Sequence, residues 1–239
     1  MRLRIFHRTR YTYRAPVRDS HNEVRLRPAT DDSARCEFFL LNVNPPVRLK
    51  HYRDEWMNYV HWFDIAEPHN GLSIDAQLTV HTSSPYTAGM PHGVTFAALN
   101  ELQDDLLAPL VKSSTYVDIN REVWKEALDV KAASDDVFAT AEAIMTHIHT
   151  NWAYIPGATH ASTHMREVMA SRQGVCQDFA HVMIGMCRSI GLPARYVSGY
   201  LYNGPRDHLL GSQASHAWCE VYLPDAGWTG FDPTNDTLA

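Results

Sequence analysis

The sequence predicts an α+β fold, with an antiparallel β-sandwich first and a second domain of helices and strands after it. Three observations support this prediction. Apolar and polar residues alternate with a period of two through most of the first 85 residues, helical periodicity begins after that point, and further alternating stretches follow the helices. A chain of 239 residues is long enough for two domains, and we expect them to span 1–85 and 86–239.

The N-terminal domain is predicted from short strands that are separated by turn residues. In the first strand, at 3–13, the odd positions are largely apolar or aromatic and the even positions are mostly arginine. Stretches rich in proline, asparagine and glycine separate four more predicted strands, at 23–27, 37–43, 59–65 and 72–81. Short strands at this spacing are typical of an antiparallel β-sandwich.

Two helices with clear ends are predicted in the second domain. Ser134 and the two acids after it form a capped start, and apolar residues then recur every three or four positions over 135–151. A second helix is predicted over 175–189, where Gly191 and Pro193 close it. Strands are then expected at 194–202, 216–223 and 228–232.

Composition excludes several classes of protein. The apolar runs are far shorter than the ~20 residues that span a bilayer, and arginines interrupt the N-terminus, so we expect neither a membrane span nor a signal peptide. Four cysteines without a C-x-x-C pair favour free thiols and a cytoplasmic location. Arginines concentrate near the N-terminus although the net charge is −6, and such a block alone is weak evidence for nucleic-acid binding.

One cysteine stands where a helix is predicted to begin. Cys176 follows Gly174 and Val175 and falls in the first turn of the second helix. Free backbone N–H groups and the helix dipole favour a thiolate at that place, and an N–H group there is able to stabilise an oxyanion. A buried, inert thiol is the alternative for any single cysteine.

A base and an orienting acid are predicted on neighbouring strands. Alternation places His216 on the opposite face of its strand from Cys219, which faces the core. The strand that ends at Asp232 follows a short turn, so we expect it to lie antiparallel beside the first and to bring Asp232 close to His216. A thiol nucleophile needs such a pair, which makes Cys176, His216 and Asp232 the predicted catalytic residues.

These residues lie within longer motifs that resemble the bacterial transglutaminase-like superfamily, in the branch described as cysteine proteases. The motifs are Gly174-Val175-Cys176-Gln177-Asp178-Phe179-Ala180-His181, Gly191-Leu192-Pro193-Ala194-Arg195-Tyr196-Val197-Ser198-Gly199-Tyr200, Ser215-His216-Ala217-Trp218, Gly227-Trp228 and Phe231-Asp232-Pro233-Thr234-Asn235. The strand-rich start resembles the N-terminal β domain of the family. The resemblance covers nearly the whole chain, least clearly at 86–130, and family members usually continue past the last motif, so it leaves open whether the core is truncated at its C-terminus.

The resemblance implies a papain-like core of helices packed on an antiparallel sheet, a Cys176-His216-Asp232 triad and no cofactor. The implied chemistry is acyl transfer from an amide or isopeptide bond of a peptide or protein. Water as the second nucleophile gives a peptidase or amidase, and an amine gives a transglutaminase; the sequence does not decide between them. Candidates for oxyanion donors or cleft residues are Tyr154, Trp152, Gln173 and Trp218.

An alternative from another class is a catalytically silent papain-like scaffold that binds peptides. The presence of all three triad residues argues against it, because a binding module does not need them. No metal is expected, because His160 and His164 have no third ligand nearby. Neither a nucleic acid nor a membrane is expected as a partner, and the sequence does not predict the oligomeric state.

Overall fold

The computed structural model of the protein describes residues 1–31, 33–83, 89–102, 104–133, 135–202, 210, 215–224 and 226–239. These residues divide into two units, Met1–Gly89 and Met90–Ala239. The predicted boundary at residue 85 lies outside the described residues, so the domain limits of 1–85 and 86–239 stay a prediction.

Six antiparallel strands make two three-stranded sheets in the described part of the first unit. The strands are β1 (Arg2–Val17), β2 (Ser20–Arg27), β3 (Ala34–Asn44), β4 (Lys50–Arg53), β5 (Tyr59–Ile65) and β6 (His69–Thr82). One sheet has the order β1-β6-β3 and the other has the order β2-β5-β4. Phe39 of the first sheet contacts His61 of the second, with 5.2 Å between the ring centroids, so side chains of the two sheets meet.

Each strand predicted in this unit lies within an observed strand. The alternation in β1 has its physical cause in the sheet, because the odd positions from Leu3 to Thr9 are partly buried while the arginines between them are exposed. The sequence did not predict β4, whose four residues are all exposed and carry no alternating pattern.

A 3₁₀ helix (Ala108–Val111) and five α-helices are present among the described residues of the second unit. The α-helices are α1 (Phe96–Glu101), α2 (Arg121–Val130), α3 (Val137–Asn151), α4 (Met165–Ser171) and α5 (Cys176–Ser189). The two predicted helices correspond to α3 and α5. The predicted cap Ser134 lies outside the described residues, and Asp136 caps α3 by accepting a hydrogen bond from the N–H group of Ala139 at 2.9 Å.

The strands of the second unit form a short parallel pair and an antiparallel sheet. The pair consists of β7 (Ala153–Tyr154) and β8 (Gln173–Gly174), and the sheet consists of β9 (Ala194–Gly199), β10 (His216–Leu223), β11 (Gly227–Asp232) and β12 (Thr237–Leu238). The sheet has the order β12-β11-β10-β9. The strand predicted over 194–202 is too long, because Gly199 pairs with His216, where β10 begins.

Helix α5 packs between the other helices and this sheet. Its apolar residues Phe179, Met183 and Cys187 are buried in one core with Cys219 and Phe231 of the sheet. The predicted α+β class, with helices packed on an antiparallel sheet, is therefore confirmed. In the part of the chain that the structure describes, none of the helices has the length and apolar character needed to cross a bilayer.

Candidate active site

Cys176 is the first residue of α5. Val175 is the N-cap, with an extended backbone (φ −123°, ψ −174°) that turns the chain into the helix. The first N–H groups of a helix have no partner within it, so the N–H group of Cys176 is available to a substrate oxygen. The thiol is partly exposed, whereas Cys187 and Cys219 are buried. Cys176 is thus the accessible thiol of this unit.

His216 and Asp232 form a buried pair at the ends of β10 and β11. Each residue is 1% exposed, and Nε2 of His216 lies 2.8 Å from Oδ2 of Asp232. Burial is the largest single influence on the imidazole and lowers its pKa, but Asp232 and the side chain of Cys176 outweigh it and raise the pKa of His216 to about 9. The imidazole therefore carries a second proton at neutral pH.

The other ring nitrogen of His216, Nδ1, is the one available to the thiol. Nδ1 is buried and has no direct hydrogen-bond partner among the described residues. Cys176 nevertheless raises the pKa of His216, both as a hydrogen-bond partner and through its charge, so the thiol lies close to the ring. Nδ1 is the nitrogen left for proton exchange with the thiol or a substrate, because Asp232 occupies Nε2.

Asp232 is held by partners that follow it in the chain. The N–H group of Thr234 donates to Oδ1 at 3.0 Å, and Nδ2 of Asn235 donates to Oδ2 at 2.7 Å. Asn235 in turn accepts a hydrogen bond from the N–H group of Leu210 at 2.8 Å. The sequence placed Asn235 in a motif but gave it no role; its position three residues after the predicted acid was the available signal.

A second carboxylate holds the turn that carries the thiol. Asp178 is fully buried, and its Oδ2 accepts hydrogen bonds from the N–H group of Val175 at 2.8 Å and from the hydroxyl of Thr159 at 2.5 Å. Gly174 makes room for it, because a Cβ atom at position 174 would lie 2.7 Å from the Cβ of Asp178. The first turn of α5 is therefore tied to the segment around Thr159.

Tyr154, a predicted oxyanion or cleft residue, is close enough to Cys176 for the thiol to influence its pKa. It pairs with Gly174 across the β7-β8 pair, and the N–H group of Ile155 donates to the carbonyl of Gly174 at 2.9 Å. Burial, followed by the charges of Cys176 and Asp232, raises the pKa of Tyr154. Its hydroxyl is therefore protonated at neutral pH and is able to donate a hydrogen bond near the thiol.

Tyr196 of β9 is a second tyrosine near the thiol, and the sequence missed it. Burial of the hydroxyl, followed by the charges of Cys176 and Asp178, raises the pKa of Tyr196 to about 12. After burial and Cys176, the pKa of Tyr196 is raised by the charge of Asp178, whereas that of Tyr154 is raised by the charge of Asp232. Alternation predicted the strand, but nothing in the local sequence signals which tertiary neighbour Tyr196 meets.

Two other predicted cleft residues stand apart from this group. Trp152 is buried, with the Arg172 guanidinium 4.0 Å from its ring and His147 edge-on to it, so its observed contacts are those of a core side chain. Gln173 is exposed on β8, two residues before Val175. The proposed oxyanion roles of Trp152 and Gln173 stay predictions without a contact to support them.

Trp218 lies against the imidazole. Its ring is stacked on that of His216, with 6.3 Å between the centroids and 27° between the planes. The ring crosses the neighbouring strand where Gly199 has no side chain, because a Cβ atom there would lie 2.3 Å from Cη2 of Trp218. Trp218 thus packs against one side of the His216 ring, and its role as a cleft residue stays a prediction.

The second unit also has a groove that the predicted catalytic residues do not line. It has a volume of about 640 Å³, runs along α3 and is lined by Glu142, Thr146 and Asp236, among others. Within the described ranges, no group of three His, Cys, Asp or Glu side chains is arranged to hold a metal ion.

The fold, with helices packed on an antiparallel sheet, is that of the papain-like class of proteins. Two family models match the chain: the transglutaminase-like superfamily over residues 125–233 and the bacterial transglutaminase-like N-terminal region over residues 3–81. An uncharacterised protein of Mycobacterium tuberculosis is 34% identical over an alignment of 258 positions, which covers 99% of this chain and 80% of that protein. The chain belongs to the transglutaminase-like superfamily.

Two further relatives indicate the kind of chemistry. The crystal structure of a candidate cysteine protease from Cytophaga hutchinsonii is similar with a TM-score of 0.75 and 25% identity, over 98% of this chain and 76% of that one. A protein-glutamine gamma-glutamyltransferase of Pseudomonas aeruginosa is 37% identical over 92 residues, which is 36% of this chain and 14% of that protein. Superfamily membership and these relatives support a thiol-dependent enzyme class.

Proposed function

We propose that the protein is a thiol-dependent enzyme that transfers acyl groups from amide or isopeptide bonds of peptides or proteins. Cys176 is the nucleophile, His216 is the acid and base, and Asp232 orients the imidazole. The observation that carries the proposal is the buried His216–Asp232 pair, in which Asp232, followed by Cys176, outweighs burial and raises the pKa of His216 to about 9. An imidazole with this pKa is protonated at neutral pH and is therefore ready to act as an acid.

Acylation follows from these positions. The thiolate of Cys176 attacks the carboxamide carbon, the C–N bond breaks, and the proton that His216 carries goes to the departing amine. The oxyanion that forms in between accepts hydrogen bonds from the N–H group of Cys176 and from the hydroxyl of Tyr154. Tyr154 is proposed because burial and the nearby thiol keep its hydroxyl protonated.

Deacylation decides between hydrolase and transferase. Neutral His216 now removes a proton from the second nucleophile, which attacks the thioester; the C–S bond breaks, and the Cys176 thiolate and the protonated imidazole are restored. Water gives a peptidase or amidase, as the name of the Cytophaga hutchinsonii relative suggests, and an amine gives a transglutaminase, as the name of the Pseudomonas aeruginosa relative suggests. Both routes share the acylated Cys176.

The test begins with selective alkylation by iodoacetamide near pH 6, followed by peptide mapping. Cys176 should be labelled well before Cys36, the partly exposed thiol of the first unit, which serves as the internal control. A library of glutamine-containing and isopeptide-linked peptides is then incubated with the protein, with and without an added amine. Turnover that survives Cys176→Ala, or equal labelling of both thiols, contradicts the proposal.

The products separate the remaining possibilities. Hydrolysed peptide in the presence of excess amine identifies a hydrolase, and amine-conjugated peptide identifies a transferase. A peptide-derived acyl adduct on Cys176 excludes the catalytically silent scaffold, whereas peptide binding without any adduct or product would support it.

We also propose a cytoplasmic location, which is supported by the four free cysteines. Fractionation of cells that express the protein tests this proposal. Recovery of the protein with a periplasmic marker enzyme would contradict it.

A further inference from the structure

Three aromatic side chains from separate parts of the second unit are stacked next to the thiol. The His181 ring lies 5.6 Å from that of Tyr116, with 15° between the planes, and 5.1 Å from that of Tyr196, with 34° between the planes. Tyr116 is 38% exposed and Tyr196 is 42% exposed, so the two outer rings face solvent while the middle ring is largely covered.

Each ring is held by a different part of the core. The carbonyl of Tyr116 accepts a hydrogen bond from the N–H group of Met165 at 3.2 Å, at the start of α4. His181 belongs to the buried helix α5, and Tyr196 pairs with Cys219 in the sheet. The stack is therefore formed before any ligand arrives, which lowers the entropy cost of binding.

The stack is uncharged near neutral pH. Burial lowers the pKa of His181 from its ordinary value, in spite of the opposing charge of Asp178, so the ring is neutral at pH 7. Nδ1 of His181 is buried without a hydrogen-bond partner among the described residues. The exposed part of the stack consequently offers flat aromatic surface to a ligand rather than charge.

The stack is also continuous with the thiol. Burial, followed by the charges of Cys176 and Asp178, raises the pKa of Tyr196, although the residue is 42% exposed. His181 lies five residues after Cys176 on α5, about 7.5 Å along the helix axis, so a peptide whose carboxamide reaches Cys176 lies close to the stack. The pKa of Tyr154, the proposed oxyanion donor, is raised by Asp232 and not by Asp178. Tyr154 and Tyr196 therefore have different acidic neighbours beside the thiol.

We propose that Tyr116, His181 and Tyr196 form an aromatic shelf that binds an aromatic side chain of the peptide substrate, next to the amide that Cys176 attacks. The proposal rests on the function proposed above for its description of the ligand as a substrate. An aromatic ring gains stacking as well as apolar burial on such a surface, whereas a glycine or an acidic side chain gains neither. The shelf thus makes the enzyme selective for the residue beside the reactive amide.

Binding provides a test that does not require turnover. The inactive variant Cys176→Ser is titrated, by fluorescence anisotropy, with two labelled peptides that differ only in having phenylalanine or glycine beside the glutamine. We expect the phenylalanine peptide to bind about 3- to 10-fold more tightly, the range given by one ring–ring contact. Adding Tyr196→Ala should remove most of this preference, and Tyr196→Phe should keep it.

Control variants separate the shelf from general effects. Tyr116→Ala should reduce the preference independently, and Tyr52→Ala, which removes an exposed tyrosine from the first unit, should leave it unchanged. Equal affinity for both peptides, or a preference that persists in Tyr196→Ala, overturns the shelf. If the active protein turns over no peptide but Cys176→Ser keeps the Tyr196-dependent preference, the proposed function fails and the shelf stands.

Discussion

Replacing Asp232 with asparagine tests the electrostatic basis of the proposed site. The change keeps the size of the side chain but removes the charge 2.8 Å from Nε2 of His216. The pKa of His216 is about 9, against an ordinary value of 6.5, and this difference corresponds to about 3 kcal/mol of preference for the imidazolium at 1.36 kcal/mol per pKa unit. Burial, which lowers the pKa, remains in the variant, so we expect the pKa of His216 to fall by about two or more.

The measurement is an NMR titration of histidines labelled at Cε1. The resonance of His216 is assigned by its loss in His216→Gln, and its midpoint is compared between the wild type, Asp232→Asn and the matched control Asp129→Asn. Asp129 is exposed on α2, so its replacement should leave the midpoint near 9. A midpoint within about half a pKa unit of the wild type in Asp232→Asn would refute the electrostatic account of the pair, since that account assigns most of the difference to the carboxylate.

The same pair makes the folding stability depend on pH. Because the pKa of His216 is higher in the folded protein than in the unfolded chain, its stabilising contribution is complete below about pH 6.5 and is lost as the pH rises through about 9. The free energy of unfolding of the wild type should therefore exceed that of Asp232→Asn by about 3 kcal/mol at pH 6, and the difference should shrink towards pH 10. Urea denaturation at both pH values measures it.

Three further substitutions test other parts of the site. Gly199→Ala places a methyl group 2.3 Å from Cη2 of Trp218, and we expect the free energy of unfolding to fall by about 1 to 3 kcal/mol in urea denaturation. Asn235→Ala removes a donor from the Asp232 carboxylate and should lower the free energy of unfolding by about 2 kcal/mol, as measured in the same way. Tyr154→Phe removes the proposed oxyanion donor and should lower kcat about 100-fold with little change in KM, in steady-state assays.

A specific result would contradict each of these three expectations. Unchanged stability in Gly199→Ala would mean that Trp218 has room to move off the strand. Unchanged stability in Asn235→Ala would mean that water replaces the amide donor without cost. A Tyr154→Phe variant with wild-type kcat would remove the tyrosine from the oxyanion site and leave the N–H group of Cys176 as its donor.

Much of the sheet and the longest helices followed from sequence because their signals are local. Alternation and turn residues located the strands of the first unit, and three-and-four periodicity with an acidic start located α3. The helix α4 is short and has an unusual cap, the imidazole of His164, which accepts a hydrogen bond from the N–H group of Arg166 at 3.2 Å. Seven residues with such a cap do not give a clear helical pattern.

The supporting residues of the site depend on contacts between distant parts of the chain. Thr159 meets Asp178 across a loop, and Tyr196 meets His181 only after β9 has packed on α5. Local periodicity can say that Tyr196 lies on a strand, but not which helix its ring reaches. The proximity of His216 to Asp232 was easier to predict, because a short turn joins their antiparallel strands.

Two glycines show the same difference between a residue explained by its local sequence and one explained by a tertiary contact. The sequence gives a physical reason for Gly174, because a helix start follows it at once and Asp178, the side chain that fills the space beside it, is only four residues away. The sequence near Gly199 gives no such reason. The space that a side chain at position 199 would fill is taken by the ring of Trp218, on the neighbouring strand. Trp218 stacks on His216, so a residue without a side chain helps to fix the imidazole from one strand away. A larger residue at 199 should therefore displace the Trp218 ring and, through it, disturb the His216 ring.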